Sequence, residues 1–276
     1  MARPTLPFEQ LVFGGGGIRC FWHGGFCEVV EERYALKPER IACVSGGALS
    51  AACWIGGRED KLRRVMGEAF DECDSNVDVD SNNRTPHEEM YRRVVERTLD
   101  EEALNSIREG PQFEVVLACA ADPVPTMLHG FFGMIAYQLD EHIRSNPHMK
   151  WPKAIGLTPK RCDARRAARE GKLIDLICAA ATIPPVFDIP NWDRTQVLDG
   201  GMMDKAPMPE PDEGDTLILL TRRYRNPPRI PGRSYRMPSK EVAADKIDFT
   251  DRTKIDRTWE QGRKDAKTWL EQLDAA

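Results

Sequence analysis

No stretch of the sequence approaches the ~18–20 uncharged apolar residues that a bilayer-spanning helix needs, which argues against an integral membrane protein. Residues 1–13 hold no apolar signal core, and a glycine run interrupts the segment behind them, so the expectation is a cytoplasmic chain. The eight cysteines, Cys20, Cys27, Cys43, Cys53, Cys73, Cys119, Cys162 and Cys178, include no CxxC pair. A zinc site wants paired spacing and a disulfide framework wants a small secreted chain, so these thiols read as reduced, small core residues. There is no excess of positive charge either. With 39 Lys+Arg against 44 Asp+Glu the net charge is −5, a poor starting point for binding nucleic-acid phosphates. Internal repeats are absent, and no metal or cofactor ligand set is recognisable. The acids of residues 74–86 invite a calcium reading, but the segment lacks the central glycine and terminal glutamate of an EF-hand loop and reads as a polar loop.

What the 276 residues do contain is an ordinary globular composition, 41% apolar and 30% charged. Short apolar runs alternate with helical patterns. Leu11, Val12 and Phe13 form a brief buried-strand candidate ended by Gly14, Gly15, Gly16 and Gly17, with a helical pattern behind it to about Glu32. Ile41 to Val44 form a second, ended by Ser45, Gly46 and Gly47 and followed by a small-residue helix to Ile55. Strand, tight turn and helix, repeated, is the pattern of parallel α/β units. Further strands are expected at 113–121, 195–198 and 216–221. Helices are expected within 61–104, at 127–143, at 173–182 and at 257–273. A single domain over 1–276 accounts for this order, with a motif-bearing core at about 9–221, a basic loop at about 222–240 and a C-terminal helix at about 254–274.

Three segments could carry chemistry. Successive amides in the glycine run, at the head of a helix, form a nest for negative charge, either a phosphate or the oxyanion of an acyl-transfer intermediate. The run lacks the Rossmann spacing, because Arg19 stands at its sixth place, and it lacks the G-K-[ST] of a P-loop; a flexible turn is the alternative. Ser45, at the end of a buried strand and before small residues and a helix, fits a nucleophile elbow, or else caps that helix. The elbow reads C-x-S-x-G where G-x-S-x-G is usual. Asp199, followed by Gly200 and Gly201, is a carboxylate at a strand end, or a turn-initiating Asp. A hydrolytic serine needs a base, yet none of the five histidines follows Asp199, so a Ser–Asp–His triad in that chain order cannot form. His23 reads as a packed core histidine, and a direct Ser45–Asp199 dyad is what remains. An ordinary aspartate is a weak base at neutral pH, so a dyad asks for a desolvated carboxylate and a strong oxyanion hole.

Taken together, these segments resemble the patatin-like phospholipase family, whose pattern is G-G-G-x-[KR]-G, then G-x-S-x-G about thirty residues on, then a late D-G-[GA]. Here the first reads Gly15-Gly16-Gly17-Ile18-Arg19-Cys20, with His23 and Gly25 continuing the run. The second reads Cys43-Val44-Ser45-Gly46-Gly47, and the third Asp199-Gly200-Gly201. Between them, Ala180 to Phe187 is similar to the family's small-small-Ser/Thr-x-Pro-x-x-Phe stretch. The resemblance covers roughly residues 9–221. It implies a three-layer α/β fold with a mainly parallel central sheet flanked by helices. It also implies a lipid acyl hydrolase without cofactor or metal, acting on phospholipids or other acyl esters. Ser45 would attack the ester, Asp199 would take its proton, and the amides of Gly15, Gly16 and Gly17 would hold the oxyanion. Arg19, Gly47 and Gly200 would support the site.

Cys20 and Cys43 stand where the family has glycine, and a Cβ at either place could tilt the elbow or narrow the hole. That departure motivates a second reading, a catalytically weak or silent lipid-binding or scaffold protein. A third is a phosphate-binding protein using the glycine nest. A cysteine nucleophile at position 43 is disfavoured, since no histidine is placed to activate it. An acyl pocket would draw on Phe21, Trp22, Phe26, Phe131, Phe132 and Met134. The basic segment carries Arg222, Arg223, Arg225, Arg229, Arg233, Arg236 and Lys240 without an acid, and the expectation is peripheral contact with anionic headgroups of a membrane. The alternative is a solvated loop or a contact to the acidic 70–103 region of a neighbour.

Overall fold

The computed structural model describes residues 3–73, 87–120, 146–148, 156–182, 188–245 and 248–275. The expected polar loop at 74–86, the Phe- and Met-rich helix at 127–143, the stretch 183–187, and Phe131, Phe132 and Met134 lie outside them.

Apolar runs without alternation form the middle of the sheet, because a parallel strand is covered on both faces. These are β1 (Gln10–Phe13), β2 (Arg40–Cys43), the first half of β3 (Gln112–Ala120) and β7 (Thr216–Leu219). Leu11, Val12, Phe13, Ile41, Phe113 and Leu217 are all buried. β1 lies between β2 and β7, parallel to both, and β2 is parallel to β3. β4 (Leu157–Asp163) and β6 (Thr195–Asp199) run antiparallel to β3, and β5 (Asn191–Trp192) pairs with β6. Beyond β7 lies β8 (Arg233–Arg236), parallel to it. This four-residue edge strand occupies part of the segment expected to be a loop. The result is a mixed α/β fold whose central, mostly parallel sheet is flanked by helices.

Those helices are α1 (Phe21–Arg33), α2 (Gly46–Gly56), α3 (Glu59–Asp71), α4 (His87–Thr98), α5 (Glu101–Glu109), α6 (Ala164–Arg169), α7 (Leu173–Ala180) and α8 (Arg252–Asp274). Polar residues start several of them: Asp100, Asp163 and Asp251 each accept a backbone N–H of the first turn. The closing helix α8 lies on α1 at very short range. A Cβ on Gly25 would stand 2.0 Å from the Trp259 carbonyl oxygen, so only glycine lets the two backbones meet there. The contact is fixed by Trp22 Nε1 donating to Asp265 Oδ2 at 2.8 Å and Trp259 Nε1 donating to Glu28 Oε2 at 2.7 Å.

One register decides where the chemistry sits. β4 pairs with β3 from Glu114 to Ala120, which leaves a single other edge of β3 for both β2 and β6. β2 uses that edge as far as Cys43↔Val115, and β6 arrives from the opposite direction as far as Asp199↔Leu117. Two strands therefore end head to head, two β3 residues apart, a separation of about 6–7 Å along the strand.

Candidate active site

Past Cys43 the chain turns sharply into α2, and Ser45 is the residue at the bend. Its φ of 54° and ψ of −141° lie in a region that side chains other than glycine rarely enter. Such strain costs on the order of 1–3 kcal/mol and persists only where the surroundings impose it. Here they do. Gly47 lies so close to the end of β1 that a Cβ would stand 2.4 Å from the Phe13 carbonyl oxygen and 2.7 Å from that of Gly14. The seryl side chain does not cap α2; its Oγ donates instead to Asp199 Oδ2 at 2.7 Å. The alternative reading of Ser45 as a helix cap is thereby excluded.

Asp199 is the last residue of β6 and is 2% exposed. Its Oδ1 accepts the Gly201 N–H at 2.7 Å, inside the short helical turn Gly200–Met202. Both carboxylate oxygens are therefore oriented, one by backbone and one by Ser45. Gly200 passes directly over β3, where a Cβ would meet the Val116 carbonyl oxygen at 2.0 Å. Among the described residues no histidine bonds to Ser45. His23 is buried in α1, His87 stacks on Phe249, and His148 is held by Asp204 at 3.0 Å and Tyr235 at 2.8 Å.

The glycine run joins β1 to a helical turn at Gly17–Cys20, beside Ser45. Its four amides are not equivalent. Gly14 donates to the Leu219 carbonyl at 2.9 Å and Gly15 to the Lys205 carbonyl at 2.8 Å. Among the described residues nothing accepts from the amides of Gly16 or Gly17, nor from that of Gly46 at the start of α2. Thr221 Oγ1 donates to the Gly15 carbonyl at 2.7 Å, and Arg19 Nε to that of Gly16 at 3.3 Å, so the loop is braced from both sides. A phosphate nest would want all of these amides, and half are spent within the fold.

The two cysteines that replace family glycines fit without backbone strain. Cys20 has ordinary helical angles, φ −64° and ψ −13°, and its Sγ is directed at the Gly14 carbonyl at 3.7 Å. Cys43 is fully buried and donates to the Glu114 carbonyl at 3.3 Å. Burial, reinforced by Glu114, pushes the Cys43 thiol well above its usual range, so it stays protonated and is no nucleophile.

Ser45 lines a cavity of about 70 Å³ between α1, α2 and α3. Ile18, Phe21, Leu49, Leu62 and Met66 give it an apolar wall. Trp22 and Phe26, expected in such a pocket, instead stack on each other at 4.8 Å toward α8. Glu59, which no sequence motif marks, also lines the cavity, and burial raises its carboxyl to about 7.

Of the seven cations in the basic segment, three are engaged by side chains among the described residues. Arg222 is buried over Tyr224, Arg233 pairs with Asp212, and Arg236 lies 4.8 Å over the Trp269 ring. Arg223 and Arg225 are exposed and follow the end of β7. Arg229 and Ile230 are exposed just before β8, and because Thr216 pairs with Arg233 they lie at the opposite end of the strands from Ser45.

A strained serine at a sharp turn, a buried carboxylate bonded to it and a glycine loop alongside thus meet at one end of the α/β sheet. Residues 11–212 match the family model described as patatin-like phospholipase, and the chain belongs to that family, whose members are lipid acyl hydrolases and in general serine hydrolases. Among solved structures, the crystal structure of VipD from Legionella pneumophila is similar in fold, with a TM-score of 0.51 at 11% identity over 97% of this chain and 67% of that one. No curated protein matches the sequence. Among the described residues, no helix is long and apolar enough to cross a membrane.

Proposed function

We propose that this protein hydrolyses the carboxylic esters of phospholipids or related acyl lipids through a Ser45–Asp199 dyad. The observation that carries the reading is the 2.7 Å hydrogen bond from Ser45 Oγ to Asp199 Oδ2. Ser45 Oγ attacks the ester carbonyl carbon as its proton passes to Asp199. Collapse of the tetrahedral intermediate expels the alcohol, which leaves with that proton. Asp199 then deprotonates a water, which attacks the acyl-enzyme, and the acid is released as Ser45 recovers its proton. The oxyanion is held by the amides of Gly16 and Gly17, joined by Gly46, since the residue after the nucleophile commonly supplies such a donor. Gly15, its amide engaged by Lys205, shapes the loop. Arg19, Gly47 and Gly200 keep loop, elbow and strand end in place.

The catalytically silent reading rested on Cys20 and Cys43, and their unstrained geometry lends it no support. We read residues 1–276 as one patatin-like domain of a cytoplasmic protein that meets membranes peripherally. Of the basic segment, Arg223 and Arg225 are the cations suited to that contact, being on the Ser45 end of the sheet. Co-sedimentation with anionic vesicles should weaken in the double variant Arg223→Ala/Arg225→Ala and hold in Arg229→Ala; the reverse ranking would oppose it. Hydrolysis of p-nitrophenyl esters tests the chemistry, with turnover expected in the parent and lost in Ser45→Ala and Asp199→Asn.

A further inference from the structure

The cavity behind Ser45 is apolar in its walls, yet two of the residues that line it carry buried side-chain polar atoms without hydrogen-bond partners among the described residues. His23 is wholly buried, and neither ring nitrogen has a hydrogen-bond partner among the described residues. The Leu219 carbonyl acts on the ring but falls short of hydrogen-bond geometry. Tyr91, from α4, is buried in the same cavity, and its hydroxyl is equally unpartnered. Unpaired buried donors and acceptors are uncommon, and each calls for an explanation. Phe13 and Trp22 meet the His23 ring edge-on at 5.5 and 6.1 Å and fix its direction while offering it nothing to bond.

Position along the helices says where these atoms act. Both α1 and α2 start beside Ser45, and the cavity follows Cys20, His23, Gly24 and Cys27 on one and Gly46, Leu49, Ser50 and Cys53 on the other. That is the i, i+3, i+4, i+7 stripe of a single helix face. His23, three residues beyond Cys20, therefore lies about 4–5 Å further from the reaction centre. An acyl chain attached to Ser45 and laid along this cavity would pass His23 within its first few carbons.

Burial holds His23 near 3 and so neutral, with one ring nitrogen donating and the other accepting. Burial also keeps the Tyr91 phenol protonated, raising it well above its usual value. A neutral donor–acceptor pair in an apolar channel matches a hydroxyl, which both gives and takes a hydrogen bond. A plain hydrocarbon chain would leave all of these groups unsatisfied.

We infer that the acyl cavity is built for a fatty acyl chain carrying a hydroxyl in its carboxyl-proximal half, hydrogen-bonded by His23 and Tyr91. This substrate class rests on the hydrolase reading, but the cavity can be tested without turnover. Dodecanoic acid and its monohydroxy isomers, with the hydroxyl stepped along the chain, are titrated into the protein by calorimetry. One proximal isomer should bind about tenfold more tightly than dodecanoic acid, and that ratio should fall toward one in Tyr91→Phe and in His23→Phe. Tyr91→Phe removes a single oxygen and keeps the test open should His23→Phe fold poorly. Equal or weaker binding of every hydroxy isomer would overturn the inference, as would a preference that survives both substitutions, or one that is confined to the distal carbons. Turnover of p-nitrophenyl dodecanoate, scored separately, bears on the hydrolase reading and leaves the binding comparison intact.

Discussion

Ser45 and Asp199, 154 residues apart in sequence, share a 2.7 Å hydrogen bond because β2 and β6 end head to head on one edge of β3. Neither residue is brought there by its own neighbours. The parallel strand delivers the serine, the antiparallel strand delivers the carboxylate, and the registers Cys43↔Val115 and Asp199↔Leu117 set the gap. Gly47, Gly200 and the strained backbone of Ser45 absorb the crowding that results. The site is thus a property of sheet register more than of any loop.

The first prediction follows from that crowding. A Cβ at Gly47 would stand 2.4 Å from the Phe13 carbonyl oxygen, and the elbow and the glycine loop would have to separate. Gly47→Ala should cost about 2 kcal/mol and lower the melting temperature by roughly 4–8 °C. Esterase activity per folded molecule should fall at least tenfold, because misplacing reacting groups by an ångström is costly. Calorimetry and initial rates on the same preparation check both halves.

A second concerns the thiols. Cys27, Cys43 and Cys53 are fully buried, and burial pushes each well above the usual thiol range. Cys73 is half-buried. Iodoacetamide on the native protein near neutral pH should alkylate Cys73 long before these three, with activity retained. Cys43→Ala should keep activity within about twofold while losing on the order of 1 kcal/mol of stability. Inactivation that tracks alkylation of Cys43 in peptide maps would contradict this.

Glu59 provides a pH signature. Burial raises its carboxyl from an ordinary 4.5 to about 7, with Glu31, Asp60 and Glu28 adding to the rise. Between those values the folded protein holds a proton that the unfolded chain has released. Its contribution to stability is therefore whole below about pH 4.5, declines as pH rises to about 7, and is lost beyond. Glu59→Gln removes that decline. Denaturant titrations should find the variant about 2 kcal/mol more stable than the parent at alkaline pH, after allowing for partial exposure, and equal to it in acid. A difference independent of pH would exclude the assignment.

Much of this could be read from the chain, and the exceptions have physical causes. Unbroken apolar runs such as Leu11–Phe13 and Thr216–Leu219 are recognisable because both faces of a central parallel strand are buried. The glycines and the motif order placed Ser45, Asp199 and the loop together as candidates. β8 has the sequence pattern of a loop because Arg233-Ser234-Tyr235-Arg236 is half-buried at a sheet edge, where charge is tolerated and the apolar pattern vanishes. β4 lacks a strand pattern for a related reason, since Thr158, Pro159 and Lys160 leave it polar. The engagement of the Gly15 amide by Lys205 is a tertiary contact that no local pattern encodes. The same holds for His23. Its place on α1 can be read, but an unpartnered ring beside a cavity depends on what α2, α3 and α4 bring to the other walls.

Labelling with a fluorophosphonate probe, followed by peptide mapping, tests the central claim most directly, because it reads the nucleophilicity of one named oxygen without assuming a substrate. The account predicts a single adduct on Ser45 in the parent protein, none in Ser45→Ala, and labelling slowed by at least a hundredfold in Asp199→Asn. An adduct on any other residue, or a Ser45 adduct formed at the parent rate without the Asp199 carboxylate, would contradict it.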